Sequence, residues 1–178
     1  GRRYSADELE PAWQRITAAA EKYNEPGRFT AFIGFEWTSD PKGNNLHRNV
    51  IFRDGKDKAD QVVPVSAYDT RDPEKLWDWM EAYEQKTGGR VLAIPHNGNL
   101  SNGLMFDDVT LTGKAPLDHA YAERRMRFEP IYEVTQIKGT SETHPNLRPN
   151  DELAGVEQED DTSASDSERP RHSRSSRA

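Results

Sequence analysis

Three ionisable side chains stand out from their sequence surroundings. Glu36 interrupts the apolar run from Phe32 to Trp37. A carboxylate buried there must be paired, hydrogen-bonded or bound to metal, because burying it alone is costly. His47 opens the next β-rich segment, and His96 follows the apolar stretch Val91–Pro95. One carboxylate and two imidazoles suit Zn²⁺, Mn²⁺ or Fe²⁺, so the set predicts a divalent-metal site.

Each of these side chains also has a simpler interpretation. Glu36 could pair with an arginine, His47 could lie at the surface, and His96 could be a hydrogen-bonded structural residue. Only their combination on successive strand ends favours a metal site. Their neighbours Arg48 and Asn97 could contact an anionic ester, which is an inference from adjacency alone.

Hydrophobic periodicity and capping residues predict the elements that must position these side chains. Ser5 and Glu8 have the spacing of a capping box, and Asp72 is suited to cap a second helix. The predicted helices run over Ala6–Tyr23, from Pro73 to the Gly88-Gly89 pair, and over Leu117–Arg127. The predicted strands run over Phe29–Thr38, His47–Arg53, Arg90–Pro95 and Ile131–Ile137.

The order of these elements favours an α/β domain with parallel strand pairing. The first strand is apolar enough to be buried on both faces, and the first two strands could also pair as a hairpin. In α/β folds the carboxyl ends of the strands face the active-site crevice. The candidate ligands are therefore expected to converge at one end of the sheet.

Composition separates an ordered body from a polar tail. The net charge of the 178 residues is −7, of which residues 151–178 contribute −4 from eight acids and four arginines. The nearly balanced body has no basic stripe, which argues against nucleic-acid binding, and no apolar run is long enough to span a membrane. The sequence has no cysteine, which excludes disulfides and thiolate ligands. Residues 154–178 are predicted to be a disordered low-complexity tail.

Four short segments, taken in order, resemble a known superfamily. They are Gly34-Phe35-Glu36-Trp37, His47-Arg48-Asn49-Val50, Ile94-Pro95-His96-Asn97, and the stretch from Tyr132-Glu133-Val134 to Glu142. Together they resemble the polymerase and histidinol phosphatase (PHP) superfamily. The most similar branch is the domain-of-unknown-function family 3604 (DUF3604), over roughly residues 12–153.

This resemblance implies a distorted (β/α)₇ barrel with a two- or three-metal centre at the carboxyl ends of its strands. It also implies hydrolysis of phosphoesters by metal-activated water. Glu36, His47 and His96 correspond to metal ligands in that pattern. Glu133 corresponds to a structural or ligand-supporting residue, and Glu142 and His144 could face the site.

The sequence also departs from the superfamily pattern. The pattern begins with a His-x-His motif and an Asp-His motif, and neither precedes Glu36. It ends with an Asp-x-His motif, which is not found after Glu142. We therefore interpret residues 1–153 as an internal, open piece of such a barrel.

Three hypotheses for function follow from this interpretation. The first is a metal-dependent hydrolase of small anionic esters, with an incomplete metal site in this chain. The second is an inactive truncated domain, which we favour for the isolated chain. The third is a binding module whose acidic tail recruits a basic partner. The sequence indicates neither the compartment nor the oligomeric state.

Overall fold

The structure is a computed structural model that describes residues 4–142. This part of the chain has a mixed α/β fold with four α-helices and two small antiparallel sheets. The helices are α1 (Ala6–Tyr23), α2 (Lys56–Ala59), α3 (Pro73–Thr87) and α4 (His119–Phe128), and the strands are β1 (Ile33–Trp37), β2 (Arg48–Phe52), β3 (Val91–Pro95), β4 (Thr135–Gln136) and β5 (Gly139–Thr140). The predicted tail, residues 154–178, lies outside the described residues.

The helix ends follow the capping residues in the sequence. At the start of α1, Ser5 and Glu8 form the predicted capping box, with each side chain accepting from the other residue's backbone amide. Asp72 caps α3 by accepting from the Glu74 amide, and Gly88 ends that helix in the left-handed conformation, at φ 65°. The three predicted helices are thus confirmed. Within residues 4–142, no helix combines the length and the hydrophobicity needed to cross a bilayer.

The larger sheet has the strand order β1-β2-β3, and both of its pairings are antiparallel. The hairpin interpretation of the first two strands is therefore confirmed, and the expectation of parallel pairing is wrong. The helix α3 does return the chain so that β3 runs parallel to β1, but β2 lies between them. An antiparallel strand between two parallel ones replaces the expected β–α–β pairing.

One face of this sheet is buried and the other is more open. Trp37, Val50 and Ala93 lie on the buried face, where each side chain is fully buried. The core beneath them is built mainly from α3, with Trp13 of α1 and Phe128 of α4. Glu36 lies on the opposite face, since side chains alternate along a strand. The expectation that this strand is buried on both faces was therefore wrong.

The last predicted strand, Ile131–Ile137, is largely absent. Only two of its residues form β4, which pairs with β5 as a small hairpin. The preceding segment is held by single hydrogen bonds, including one from the Glu133 amide to the Pro95 carbonyl at 3.1 Å. The apolar side chains Ile131 and Ile137 remain 54% and 95% exposed, so they bury too little area to fix a longer strand.

Candidate metal centre

The three candidate ligands lie at one end of the larger sheet. At that end β1 and β3 finish and β2 begins, because β2 runs antiparallel to both. Glu36 is the fourth residue of β1, His47 directly precedes β2, and His96 directly follows β3. The His96 amide donates to the His47 carbonyl at 3.3 Å, which extends the β2–β3 pairing to these residues.

The distances between their ligand atoms fit a single bound cation. One carboxylate oxygen of Glu36, Oε1, lies 3.0 Å from Nδ1 of His47 and 3.3 Å from Nε2 of His96. The three ligand atoms all lie within 4.8 Å of one another. Ligands bound at about 2.0–2.1 Å around a tetrahedral ion are about 3.3 Å apart. The two separations that involve Glu36, 3.0 and 3.3 Å, therefore match the spacing of ligands around such an ion.

Burial differs across the cluster. The His96 side chain is 6% exposed and that of His47 is 15% exposed, whereas the Glu36 side chain is 45% exposed. The imidazoles thus form a shielded floor and the carboxylate borders open space. A small molecule would approach from the side of Glu36.

The imidazole nitrogens are oriented as ligands. His47 Nδ1 is buried and lies 3.0 Å from Oε1 of Glu36. With its proton on Nδ1, His96 donates to the Ile94 carbonyl at 3.4 Å, and this leaves its Nε2 lone pair facing Glu36. A hydrogen bond from the second ring nitrogen is the usual way in which proteins orient a metal-binding histidine.

The pKa of His47 is lowered from its ordinary value. Burial is the main cause, the negative charge of Glu36 opposes it, and the neighbouring His96 and Lys138 add to the lowering. His47 is therefore neutral near pH 7, and neutral imidazole is the form that binds metal ions. A permanent ion pair between His47 and Glu36 is not favoured under these conditions.

Arg48 does not lie in the cluster. Its side chain is 2% exposed, and its Nε donates to Oε1 of Glu129 at 3.0 Å in the core. Arg48 follows His47 in sequence, but side chains of successive strand residues point to opposite faces. The structure therefore places the Arg48 side chain in the core, on the face of the sheet opposite to the cluster.

Asn97 is buried directly beside a ligand. It is 2% exposed, it has a left-handed backbone at φ 58°, and both polar atoms of its side chain lack a hydrogen-bond partner among residues 4–142. Buried amides are nearly always hydrogen-bonded, so an unpartnered one calls for an explanation. Its position next to His96 keeps it a candidate contact for a ligand at this site.

The remaining candidate residues, Glu133, Glu142 and His144, are not part of the described cluster. Glu133 is half-buried and its amide is bonded to the end of β3, but it is not part of the described cluster of possible metal ligands. Glu142 is exposed, and its amide is bonded to the Thr140 hydroxyl. His144 lies outside the described residues.

The β4–β5 hairpin adds a residue that sequence reasoning missed. Lys138 lies in its turn, and its charge is close enough to His47 to contribute to the lowered pKa. The hairpin is attached to the loop after β3, where Asn99 donates to the Lys138 carbonyl at 2.9 Å and the Ser141 hydroxyl accepts from the Asn99 amide at 3.0 Å. No ion pair engages Lys138 within the described part of the chain. The sequence alone did not single out Lys138, because its proximity to His47 depends on the turn between β4 and β5.

The fold and the cluster together describe a mixed α/β protein with a candidate metal centre at one end of an antiparallel sheet. The chain belongs to the family described as "Protein of unknown function (DUF3604)", whose model matches residues 2–177. This match confirms the DUF3604 resemblance and extends it beyond residues 12–153 into the stretch interpreted as a tail. No curated protein and no solved structure matches the chain.

Proposed function

We propose that this chain forms part of a metal-dependent hydrolase that acts on phosphoesters or similar anionic esters. In this proposal Glu36, His47 and His96 hold a divalent cation, Zn²⁺, Mn²⁺ or Fe²⁺. The observation that carries it is the convergence of one carboxylate and two imidazoles within 4.8 Å at the end of the sheet. The buried position of His47 Nδ1, 3.0 Å from Oε1 of Glu36, is further support.

Each residue has a definite task in this proposal. Glu36 supplies the negative charge that the imidazole ligands lack, and the Ile94 carbonyl holds the His96 ring in position. Lys138 contributes positive charge that attracts an anionic ester. A divalent cation bound here would supply a nucleophilic water at neutral pH and would stabilise charge on the ester oxygens.

We also propose that the family lies within the PHP superfamily and that its complete fold is a distorted (β/α)₇ barrel. The proposal rests on the order and chemistry of the motifs around Glu36, His47 and His96. The antiparallel position of β2 departs from regular β/α repetition. The ligands, rather than the sheet, therefore support the superfamily proposal.

Two alternatives predict different results. An inactive domain with an incomplete site would bind a cation weakly or not at all and would not hydrolyse esters. A binding module whose acidic tail recruits a basic partner would function independently of Glu36. The three-residue cluster favours the hydrolase, whereas the tail contributes only charge.

Metal binding is the direct test of the proposal. The 178-residue chain is titrated with Zn²⁺ and Mn²⁺ by isothermal titration calorimetry, alongside the variants Glu36→Gln and His96→Ala. We expect each variant to weaken binding at least about tenfold, as is typical for loss of a residue that holds or supports a metal. The matched controls are Glu10→Gln and His119→Ala, which change exposed residues on α1 and α4. Equal affinity in all five proteins would refute the assignment.

Hydrolysis is tested separately. The metal-loaded chain is incubated with a chromogenic phosphomonoester and a phosphodiester, with and without a chelator. Turnover that the chelator abolishes and that Glu36→Gln lacks supports the hydrolase. Tight metal binding without turnover supports the inactive-domain alternative.

A further inference from the structure

A cavity of about 600 Å³ lies beside the outer edge of β1, between α1 and residues 63–68. Its walls are mainly apolar and include Leu9, Trp13, Ile16, Phe35 and Val65. Cavities of roughly 300–1,000 Å³ with apolar walls and a few polar groups are typical of small-molecule sites. The volume is sufficient for a group of one or two aromatic rings.

Glu36 belongs to both the cavity and the candidate metal centre. It lines the cavity together with Thr38, Asp40 and Arg71, which form its polar part. A molecule bound at Glu36 can therefore extend into the apolar space without leaving the protein surface. Glu36 is thus the residue that the cavity shares with the cluster, and His47 and His96 do not line the cavity.

The lining leaves apolar surface that the fold itself does not cover. Ile16 has helical spacing on α1 with the core residue Trp13, yet it is 51% exposed, and Tyr68 on the facing wall is 58% exposed. Behind them Trp13 and Phe35 pack edge to face, with ring centroids 6.0 Å apart; Trp13 is 3% exposed and Phe35 is partly buried, so the exposed apolar surface comes mainly from Ile16 and Tyr68. Aromatic ligands bind well against such surfaces.

The polar end of the cavity carries two acids, Glu36 and Asp40, and one cation, Arg71. Arg71 lines the cavity and is only loosely paired, with its guanidinium 4.0 Å from an Asp40 carboxylate oxygen and both side chains more than half exposed. Exposed pairs of this kind are weak. The Arg71 guanidinium is therefore available to a negatively charged group of a molecule bound in the cavity.

We propose that this cavity binds the aromatic or similarly apolar group of the ester on which the metal centre acts. The inference rests on the proposed hydrolase function and specifies its substrate class as aryl or other bulky apolar phosphoesters. In the reaction, water forms a new P–O bond and the bond to the leaving oxygen breaks. The leaving oxygen takes a proton, so an aryl phosphate gives inorganic phosphate and an aryl alcohol with no other reactant.

The test compares two stable analogues, 1-naphthylphosphonate and methylphosphonate, by calorimetric titration of the Zn²⁺-loaded 178-residue chain. We expect the naphthyl compound to bind at least about tenfold more tightly, because its rings are removed from water in the cavity. Two cavity variants, Ile16→Trp and Ile16→Glu, should abolish this preference by filling the cavity or by adding negative charge. Both change a half-exposed residue and leave the core intact. Met126→Trp, which changes an exposed residue of α4 outside this cavity, should retain the preference.

The outcomes separate the substrate inference from the hydrolase proposal. Equal affinity for the two phosphonates, or a preference that persists in both Ile16 variants, overturns the inference while metal binding stands. A third probe, 1-naphthol, is titrated into the metal-free chain. If 1-naphthol binds in an Ile16-dependent manner but the chain binds no metal, the cavity is an apolar site unconnected to hydrolysis. That result overturns the proposed hydrolase function and, with it, the inference about its substrate.

Discussion

At the scale of single residues, Glu129 is a buried charge that three side chains surround. Its Oε1 accepts from Arg48 Nε at 3.0 Å and from Trp77 Nε1 at 2.9 Å, and Arg125 Nε lies 3.2 Å from its other oxygen. The side chains of Glu129 and Arg48 are 1% and 2% exposed. This buried network joins β2 of the larger sheet to α3 and the end of α4, which lie beneath it.

Glu129→Gln should destabilise the protein strongly. The substitution keeps the size of the side chain but leaves the buried Arg48 charge unpaired, a loss that typically costs about 3–5 kcal/mol. Urea denaturation followed by tryptophan fluorescence measures the free energy of unfolding. The control Glu123→Gln changes an exposed residue of the same helix and should alter it by less than about 0.5 kcal/mol. A loss below about 1 kcal/mol for Glu129→Gln would show that the pair contributes little.

Asp54 makes a pH-dependent contribution to stability. Its partial burial raises its pKa, but hydrogen bonds from the Arg90 amide and from Arg53 and Lys58 outweigh this and lower the pKa below its ordinary value. A carboxylate with a lowered folded-state pKa stabilises the protein above its unfolded-state pKa. That stability is lost as the pH falls through the folded-state pKa.

Asp54→Asn should therefore cost about 1–2 kcal/mol at pH 7, because hydrogen bonds to a charged acceptor are lost. The difference from the parent should shrink as the pH falls below about 4, where the unfolded carboxyl begins to protonate. Urea denaturation at several pH values between 7 and 3 measures it, with Asp57→Asn as the exposed neighbouring control at pH 7. A difference that stays constant over this range would contradict the role assigned to the Asp54 charge.

Residue type and surroundings were enough to select Glu36, His47 and His96 from the sequence. An acid within an apolar strand and histidines at strand ends are unusual, and they led to the cluster that the structure contains. The roles of their neighbours were harder to predict. Arg48 adjoins His47 in sequence but points into the core, and Lys138 approaches His47 only through the later hairpin turn.

At the scale of elements, local signals predicted the helices well because caps and apolar spacing are local properties. Strand partners depend on the path of the whole chain. The sequence contained a helix between the second and third strands, and a helix in that position usually connects two parallel, neighbouring strands. In the structure β2 is instead antiparallel to both of its neighbours and lies between β1 and β3, which are parallel to each other. This arrangement still brings the predicted ligands together, because the carboxyl ends of β1 and β3 meet the amino end of β2.

Close packing at Gly34 maintains the distance between β1 and β2. A Cβ atom at this position would lie 2.7 Å from the Val50 carbonyl oxygen and 3.0 Å from the Ile51 side chain. Gly34→Ala should therefore push β1 away from β2 and cost about 1–3 kcal/mol, as overpacking typically does. Because Glu36 follows two residues later, the same variant should weaken Zn²⁺ binding. Urea denaturation and calorimetry measure the two effects.

The control for this variant is Thr30→Ala, an exposed position before β1. It should leave both stability and Zn²⁺ affinity nearly unchanged. If Gly34→Ala destabilised the protein but left Zn²⁺ affinity intact, the position of β1 would not determine the ligand geometry. The cluster would then tolerate movement of its own strand.

At the scale of the whole molecule, the buried face of the sheet provides stability and the opposite face carries the chemistry. Helices α1, α3 and α4 pack residues such as Trp13, Met80 and Phe128 into one core beneath the strands. Glu36 lies on the open face and at the edge of the cavity beside α1. Sequence periodicity could predict the core, but the cavity depends on how residues 63–68 lie against α1, which no local pattern encodes.

Binding of a cation at this end of the sheet should stabilise the entire described fold, since its ligands come from all three strands of the larger sheet or their ends. A ligand that binds only the folded state stabilises it by about 2.7 kcal/mol at 100 times its Kd. For a chain of this length, about 2–4 °C in Tm is expected per kcal/mol. Saturating Zn²⁺ or Mn²⁺ should thus raise Tm by about 5–10 °C, and a chelator should reverse the increase.

Differential scanning fluorimetry measures this change in Tm in the parent chain, in Glu36→Gln and in the control Glu10→Gln. The increase should persist in the control and fall to about half or less in Glu36→Gln, because a tenfold or greater loss of affinity leaves about 1.4 kcal/mol or less at the same cation concentration. An equal increase in Glu36→Gln would mean that the cation binds elsewhere, and the cluster of Glu36, His47 and His96 would not be the metal centre.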